Sequence, residues 1–266
     1  MLSNLHTHTL FCDGKSSAEE VVLSAIKKGF SSIGFSGHGY TNFDLTYCMK
    51  DMDGYIKKIR RLKKKYKKDI QIYIGIEEDS FYPLDRNSFD YIIGSSHYIH
   101  KNGGYFPVDS NYEKFKKCLN LFNWDIIKLA DTYYSNFCEY IKKHKPDIIG
   151  HFDLITKFDE LDNSIFFCND EYNKLAEKYI AIASQSGCMF EVNTGAISRG
   201  VRTTPYPKAN LLRVLKKEGA KIVLNSDSHH ADTLDFAFDE AKKLLKDIGF
   251  EYTYILYDGE FKKDLL

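Results

Sequence analysis

The first residues able to do chemistry come as a pair, His6-Thr7-His8. In an extended strand, side chains two positions apart point to the same side, so both imidazoles can face one metal ion. Taken alone the pair carries little weight. Its meaning changes with what ends the other apolar runs. His38 closes Ile33-Gly34-Phe35-Ser36-Gly37, Glu77 follows Ile74-Gly75-Ile76, and His97 follows Gly94-Ser95-Ser96. His151 comes after Asp147-Ile148-Ile149-Gly150, and Asp227-Ser228-His229 comes just after Ile222-Val223-Leu224-Asn225. Any one of these side chains reads as a hydrogen-bonded core histidine or a helix-capping carboxylate. As a set they read as a metal centre, because clustered imidazoles and carboxylates are costly to bury unless a cation organises them. The donor types suit zinc, manganese or iron and do not choose between them.

Elements that could position such a set follow from the alternation of short apolar runs with helical patterns, the signature of βα units and a parallel sheet. Strands are expected at Leu2–His8, Ser32–Ser36, Ile70–Ile76, Tyr91–Ser95, Asp147–Gly150, Cys188–Val192 and Lys221–Asn225, with Tyr252–Tyr257 as a candidate eighth. Helices are expected from the capping signal Ser16-Ser17-Ala18-Glu19-Glu20 to Gly29, and over Asp51–Lys68, Tyr112–Lys145 with a break, Asp170–Gly187, Lys208–Gly219 and Thr233–Ile248. This predicts an α/β fold, a single β/α barrel domain over residues 1–266, whose strands' carboxyl ends share the face that holds active sites. Asp13, in Phe11-Cys12-Asp13-Gly14, could be the turn residue of Asp-Gly or a further ligand, and its place on the same face favours the ligand. His100 reads as a loop residue, His144 as a helix C-terminal residue, and His230 as a support to ligands.

Bulk properties exclude little. Lys+Arg and Asp+Glu are equal at 37 each, so overall charge argues neither for nor against an anionic partner. The Lys-rich stretch Asp51–Lys68 also carries Tyr55, Ile56, Ile59, Leu62 and Tyr66 at helical spacing, so its charges read as a wet face in preference to a nucleic-acid patch. The six cysteines show no C-x-x-C pair and are expected to be reduced. Met1-Leu2-Ser3-Asn4-Leu5-His6 lacks the features of a secretory leader and no apolar run reaches membrane-spanning length, so a cytoplasmic location is expected.

The ordered pieces His6-Thr7-His8, Asp13, Ser36-Gly37-His38, Gly75-Ile76-Glu77, Gly94-Ser95-Ser96-His97, Gly150-His151-Phe152-Asp153, Glu191-Val192-Asn193-Thr194 and Asn225-Ser226-Asp227-Ser228-His229 give the chain its resemblance to a known family. It resembles the PHP (polymerase and histidinol phosphatase) superfamily, and within it the histidinol-phosphate phosphatases. The resemblance implies a distorted TIM-like (β/α)7 barrel with two or three divalent ions. It further implies that His6 and His8 hold one metal with Glu77 and Asp227 reaching it, that Glu77 bridges to a second held by His97 and His151, and that Asp13, His38 and His229 hold the third. Some relatives carry histidine where Asp13 stands. Glu77 and Asp227 would be catalytic through those metals. Closely spaced dications neutralise a phosphate monoester, lower the pKa of a shared water and hold attacking and leaving oxygens in line.

Two further groups of residues are candidates for the substrate. In the segment Asn193–Arg202 a guanidinium could grip phosphoryl oxygens, Arg199 being preferred and Arg202 the alternative, with Arg199 expected to face the metals and Arg202 solvent. The aromatic segment Tyr98–Asp109, with Tyr105 and Phe106, is expected to cover the leaving group's imidazole and amine. The implied reaction is hydrolysis of L-histidinol phosphate, a small-molecule substrate, with no nucleic-acid or membrane partner expected. The competing expectations are a phosphatase of another small monoester, a phosphodiesterase or nuclease of the same fold, and a catalytically silent metal-binding domain. The general acid and the oligomeric state are not legible.

Overall fold

The computed structural model describes residues 1–161 and 165–266. Seven short strands, β1 (Ser3–Asn4), β2 (Ser32–Phe35), β3 (Gln71–Asp79), β4 (Tyr91–Ser95), and, after a hairpin of β5 (Tyr98–Lys101) and β6 (Gly104–Pro107), β7 (Ile148–Ile149), β8 (Met189–Asn193) and β9 (Ile222–Asn225), form the frame. They pair side by side in chain order, all parallel. Just past its carboxyl end β9 meets the start of the chain: His8 N–H donates to the Ser228 carbonyl at 2.8 Å and Ser228 N–H to the His6 carbonyl at 3.1 Å. Nearer its amino end, Val223 pairs instead with Tyr254 of β10 (Tyr252–Tyr257), to which β11 (Glu260–Leu265) is added antiparallel. Strand β9 thus serves two neighbours on one side, and the curled sheet is a distorted barrel.

Alternation along the strands separates two environments. Tyr73, Tyr91, Ile93, Ile148, Met189, Val223 and Leu256 pack together as one buried cluster. Their odd-even neighbours Ile72, Ile74, Ile76 and Ile92, or Ile149, Phe190, Val192, Ile222 and Leu224, pack outward against helices. Continuing the inward series by twos reaches Glu77 from Tyr73, Glu191 from Met189 and Asn225 from Val223. Tyr91 fills the space beneath: a Cβ on Gly75 would lie 2.2 Å from its ring, so a side chain there would collide with it.

The helices are α1 (Ala18–Lys27), α2 (Met52–Lys65), α3 (Tyr112–Leu121), α4 (Ile126–His144), α5 (Asp170–Ser184), α6 (Gly195–Ser198), α7 (Ala209–Lys217) and α8 (Phe238–Ile248). The capping box forms as read, with Glu20 N–H on Ser17 Oγ at 3.3 Å and Ser17 N–H on Glu20 Oε2 at 2.7 Å. On α2 the apolar stripe Tyr55, Ile56, Ile59 and Leu62 is buried, while Lys58 and Lys65 pair with Glu19. All six cysteines are free. Among the described residues no helix is long and apolar enough to cross a membrane.

Several boundaries differ from the expectation. The first strand keeps only two residues because the N–H groups of Leu5, His6 and Thr7 are taken by Asn225 Oδ1, Asn4 Oδ1 and Ser36 Oγ. The break in Tyr112–Lys145 falls at Asn123 and Trp124, both left-handed. The last helix begins at Phe238, not Thr233, since the carbonyls of Leu234 and Phe236 accept from Asn4 Nδ2 and Thr194 Oγ1. The hairpin β5–β6, helix α6 and strand β11 were not anticipated.

Candidate metal centre

Every carboxylate and imidazole singled out by its place after an apolar run arrives at one end of the barrel. Glu77, from β3, stands at the middle. Its Oε2 lies 2.9 Å from His38 Nδ1, 3.2 Å from His6 Nε2 and 3.6 Å from His8 Nε2, and its Oε1 lies 2.9 Å from His151 Nε2 and 3.3 Å from His97 Nε2. Asp227 Oδ1 is 3.1 Å from His8 Nε2 and 3.6 Å from His6 Nε2. The backbone of Asp227 is left-handed, with φ 47°, a conformation that aspartate tolerates better than most residues. Toward solvent, Asp13 Oδ2 lies 3.3 Å from His229 Nε2 and 3.7 Å from His38 Nε2, and its Oδ1 3.5 Å from His8 Nδ1.

These separations suit ligands better than hydrogen bonds. Around a tetrahedral ion with bonds of about 2.0–2.1 Å, neighbouring donor atoms stand ~3.3 Å apart. The four contacts of His6 and His8 with Glu77 and Asp227 bracket that value at 3.1–3.6 Å. Moreover, His6 Nε2, His8 Nε2, Asp13 Oδ1, Glu77 Oε2 and His151 Nδ1 are buried with no hydrogen-bond partner. Of these, His6 Nε2, His8 Nε2 and Glu77 Oε2 face one another, an arrangement that is costly unless a cation completes it. Four groupings place their ligand atoms within 4.8 Å of one another: His8, Asp13, His38 and His229; His6, Glu77 and His151; His6, His8 and Asp227; His38, Glu77 and His97. The residues therefore fit two or three divalent ions. His8 belongs to two groupings, whereas the sequence reading had given it to one.

Arg199 extends from the end of α6, and Gly195 permits its approach, since a Cβ there would come within 2.9 Å of both the guanidinium and Asp227. Arg199 Nη2 donates to Asp227 Oδ2 at 3.0 Å and Nη1 to the Asp227 carbonyl at 3.1 Å. Arg202 is a correction. It does not face solvent: its side chain is buried, Nη1 donates to Thr156 Oγ1 at 3.0 Å, and its guanidinium lies 4.1 Å over the Tyr206 ring and 5.1 Å from that of Phe167. The chain after α6 turns back so that Tyr206 pairs with Asn193, and that turn draws Arg202 inward.

Beside His38 and His97 a cavity of about 230 Å³ is lined by Asp13, Asp44, Tyr47, Tyr98, Pro107, Asp109 and Lys157. The structure does not bring Tyr105 or Phe106 to it. Because Tyr98–Pro107 is a hairpin and not an open loop, Phe106 turns to the helical core and Tyr105 stacks on Phe43 at 4.0 Å near the hairpin tip. Tyr98, Asp44 and Asp109 take the wall instead. His100 packs on Tyr105 and His144 on Tyr140, and both stay outside the centre.

A family model for the PHP domain matches residues 4–195. The chain belongs to the PHP family. A protein of Schizosaccharomyces pombe is 28% identical over 96% of this PHP chain and 89% of its own length. The histidinol-phosphatase of Bacillus subtilis is 24% identical over 88% of this chain and 96% of its own. A histidinol phosphate phosphatase of Lactococcus lactis, solved with zinc, L-histidinol and phosphate, shares the fold with a TM-score of 0.75 at 22% identity, covering 98% of this chain and 99% of that one. Asp227 and His229 lie beyond the matched span, and β9 carries them to it.

Electrostatics of the PHP centre tie metal uptake to protons. Burial pulls His6 down, but Glu191, Glu77 and Asp227 outweigh it and lift it from 6.5 to about 10. His8 and His97 are likewise raised against burial, by Asp13 and Asp227 and by Glu77 and Asp79. Burial would raise Glu77 and Asp227, yet the imidazolium ions around them, with Arg199 at Asp227, hold both well below the usual carboxylate range. His6 is raised in the folded state, so its contribution to the metal-free fold is complete below 6.5 and is lost as pH rises through about 10. Ligation requires neutral imidazole, so zinc uptake at neutral pH is expected to expel protons. Titration calorimetry in buffers of different ionisation enthalpy should give buffer-dependent heats, and chelated protein should lose thermal stability as pH climbs toward 10 while zinc-loaded protein does not. Buffer-independent heats would mean that the imidazoles were neutral beforehand.

Glu191 belongs to the family pattern through Glu191-Val192-Asn193-Thr194 and lies outside the expected ligand set. The signal was present: an acid at the centre of the apolar strand Met189-Phe190-Glu191-Val192-Asn193, on the inward face.

Proposed function

We propose that this protein is a metal-dependent phosphomonoesterase that hydrolyses L-histidinol phosphate to L-histidinol and phosphate. The observation that carries the reading is Glu77, one buried carboxylate with five imidazoles within 3.6 Å and both oxygens committed to different groups of them. Divalent ions bound there supply charge neutralisation for the phosphoryl group and an acidified water. The names of the Bacillus and Lactococcus relatives supply the substrate. Arg199 has donors beyond those used on Asp227, and these can turn to phosphoryl oxygens. The adjoining cavity carries three carboxylates, Asp13, Asp44 and Asp109, against one lysine, so it favours a cationic leaving group such as a protonated amino alcohol. Tyr98 and Tyr47 give that group aromatic walls, and Tyr98 donates to Asp44 Oδ2 at 2.8 Å. A cytoplasmic location and the absence of a nucleic-acid partner belong to the same reading, and the equal counts of 37 basic and 37 acidic residues weaken the nucleic-acid alternative.

The test is phosphate release by purified, metal-analysed protein on a panel of mono- and diesters. Histidinol phosphate should be the preferred substrate, with activity lost to chelator and restored by metal; preference for a diester, or for another monoester, would replace the assignment. Among the described residues the direct ion-pair partner of Asp109 is Lys157, at 3.7 Å. Asp109→Asn should therefore lower kcat/KM for histidinol phosphate by roughly tenfold or more while sparing p-nitrophenyl phosphate, which has no ammonium. Equal losses on both esters would take Asp109 out of leaving-group recognition.

A further inference from the structure

We infer that Glu191 is a positioning residue for the metal centre, fixing which nitrogen of His6 is offered to a metal and tying that histidine to His151. The inference rests on the reading of the cluster as a metal site. Glu191 is fully buried on β8. Its Oε1 accepts from His6 Nδ1 at 2.6 Å and from Asn225 Nδ2 at 2.9 Å. Its Oε2 accepts from Asn193 Nδ2 at 2.9 Å and from the His151 backbone N–H at 2.9 Å.

The orientation of both amides is settled by their other ends. Asn225 Oδ1 accepts from Leu5 N–H at 2.8 Å and Asn193 Oδ1 from Gly195 N–H at 2.8 Å, so each presents its NH2 to Glu191. The pocket around Glu191 therefore offers donors only, and a carboxylate is the side chain that can accept all of them. A neutral glutamine would set its own NH2 against two of these donors. With Nδ1–H held by Glu191, His6 has Nε2 left for a metal, and Nε2 is the orphaned atom that lies 3.2 Å from Glu77 and 3.6 Å from Asp227. The same carboxylate holds the main chain of His151, whose Nε2 faces the other oxygen of Glu77 at 2.9 Å. Glu191 thus braces one ligand on each side of Glu77. Groups that orient a ligating histidine in this way typically change metal affinity by ~10- to 100-fold when removed.

The experiment is zinc competition against a chromophoric chelator on the full chain, with no substrate present. Glu191→Gln should raise the zinc dissociation constant by ~10- to 100-fold. Glu78→Gln serves as the control, since Glu78 is another buried carboxylate but accepts from Tyr140 and the Leu84 N–H; it should leave zinc affinity unchanged whatever it does to thermal stability. Combining Glu191→Gln with His6→Ala should cost less than the two single losses together, since only the brace on His151 is left to lose. Unchanged zinc affinity in Glu191→Gln, or full additivity with His6→Ala, would overturn the inference. Should Glu191→Gln fail to fold, nitrogen-15 NMR of the zinc-loaded parent still decides: His6 must bind through Nε2 with Nδ1 protonated, and coordination through Nδ1 refutes the role. Because zinc affinity is read without substrate, a failure of the histidinol phosphate assignment leaves this result standing.

Discussion

Glu77→Ala is expected to reduce kcat by ~10³-fold or more, since charge stabilisation of several kcal/mol depends on ions held together in this site. Among the described residues Glu77 is the one carboxylate that reaches all five of His6, His8, His38, His97 and His151. Removing it separates the deep pair His97 and His151 from the rest, because among the described residues no other acid contacts His151 Nε2. Metal content should fall along with turnover, and the fold should persist, since the barrel is held by the strand ladders and the apolar clusters on both sides of the sheet. Glu77→Gln keeps the shape and drops the charge, so it should retain part of the metal and little of the rate. The measurements are elemental analysis, phosphate release and thermal melting on the same preparations. A Glu77→Ala protein with full metal content and most of its activity would refute a bridging carboxylate.

Most of the ligand-type residues were legible because they come shortly after an apolar run, and a parallel barrel delivers such positions to one face. Sequence position could not say how they divide among ions. His8 turns Nε2 to Glu77 and Asp227 and Nδ1 toward Asp13, and only the fold shows that it faces two groupings at once. Glu191 was hidden for a different reason: it lies inside a strand, not past its end, so the rule that found the others passes over it. Strand positions were read more securely than the elements made by side chains. β4 and β10 have the bounds expected, whereas β1 is cut short by the amides of Asn4 and Asn225, which no periodicity announces. The hairpin β5–β6 was missed because Lys101-Asn102-Gly103-Gly104 reads equally well as an open loop. That error moved the leaving-group contacts onto Tyr105 and Phe106, which the hairpin sends to different places, Phe106 to the helical core and Tyr105 onto Phe43.

Arg199→Ala and Arg202→Ala are expected to fail in opposite ways. Arg199 is about a third exposed at the edge of the centre and shares Asp227 with the histidines, so its loss removes a charge-assisted contact without opening the core. Such a contact is worth on the order of 2–3 kcal/mol, or roughly 30- to 150-fold in kcat/KM, and part of the loss should appear in kcat if the guanidinium meets charge that develops during reaction. Arg202 instead fastens the chain after α6 to the segment around Thr156, through Thr156 Oγ1, Thr204 Oγ1 and the Pro205 carbonyl, and its planar group stacks on Tyr206. Truncation there leaves Thr156 Oγ1 without its donor and a void beside Tyr206, a combination that costs about 2–4 kcal/mol of stability. Thermal melting should therefore fall in Arg202→Ala and hold in Arg199→Ala, while steady-state kinetics at a temperature where both are folded should show the larger deficit in Arg199→Ala. Arg199→Lys separates charge from geometry: a lysine keeps the positive charge but cannot reproduce two donors in one plane, so it should recover only part of the rate. A loss of kcat/KM in folded Arg202→Ala exceeding that of Arg199→Ala would move the phosphate contact to the buried arginine and require the segment between them to open during turnover.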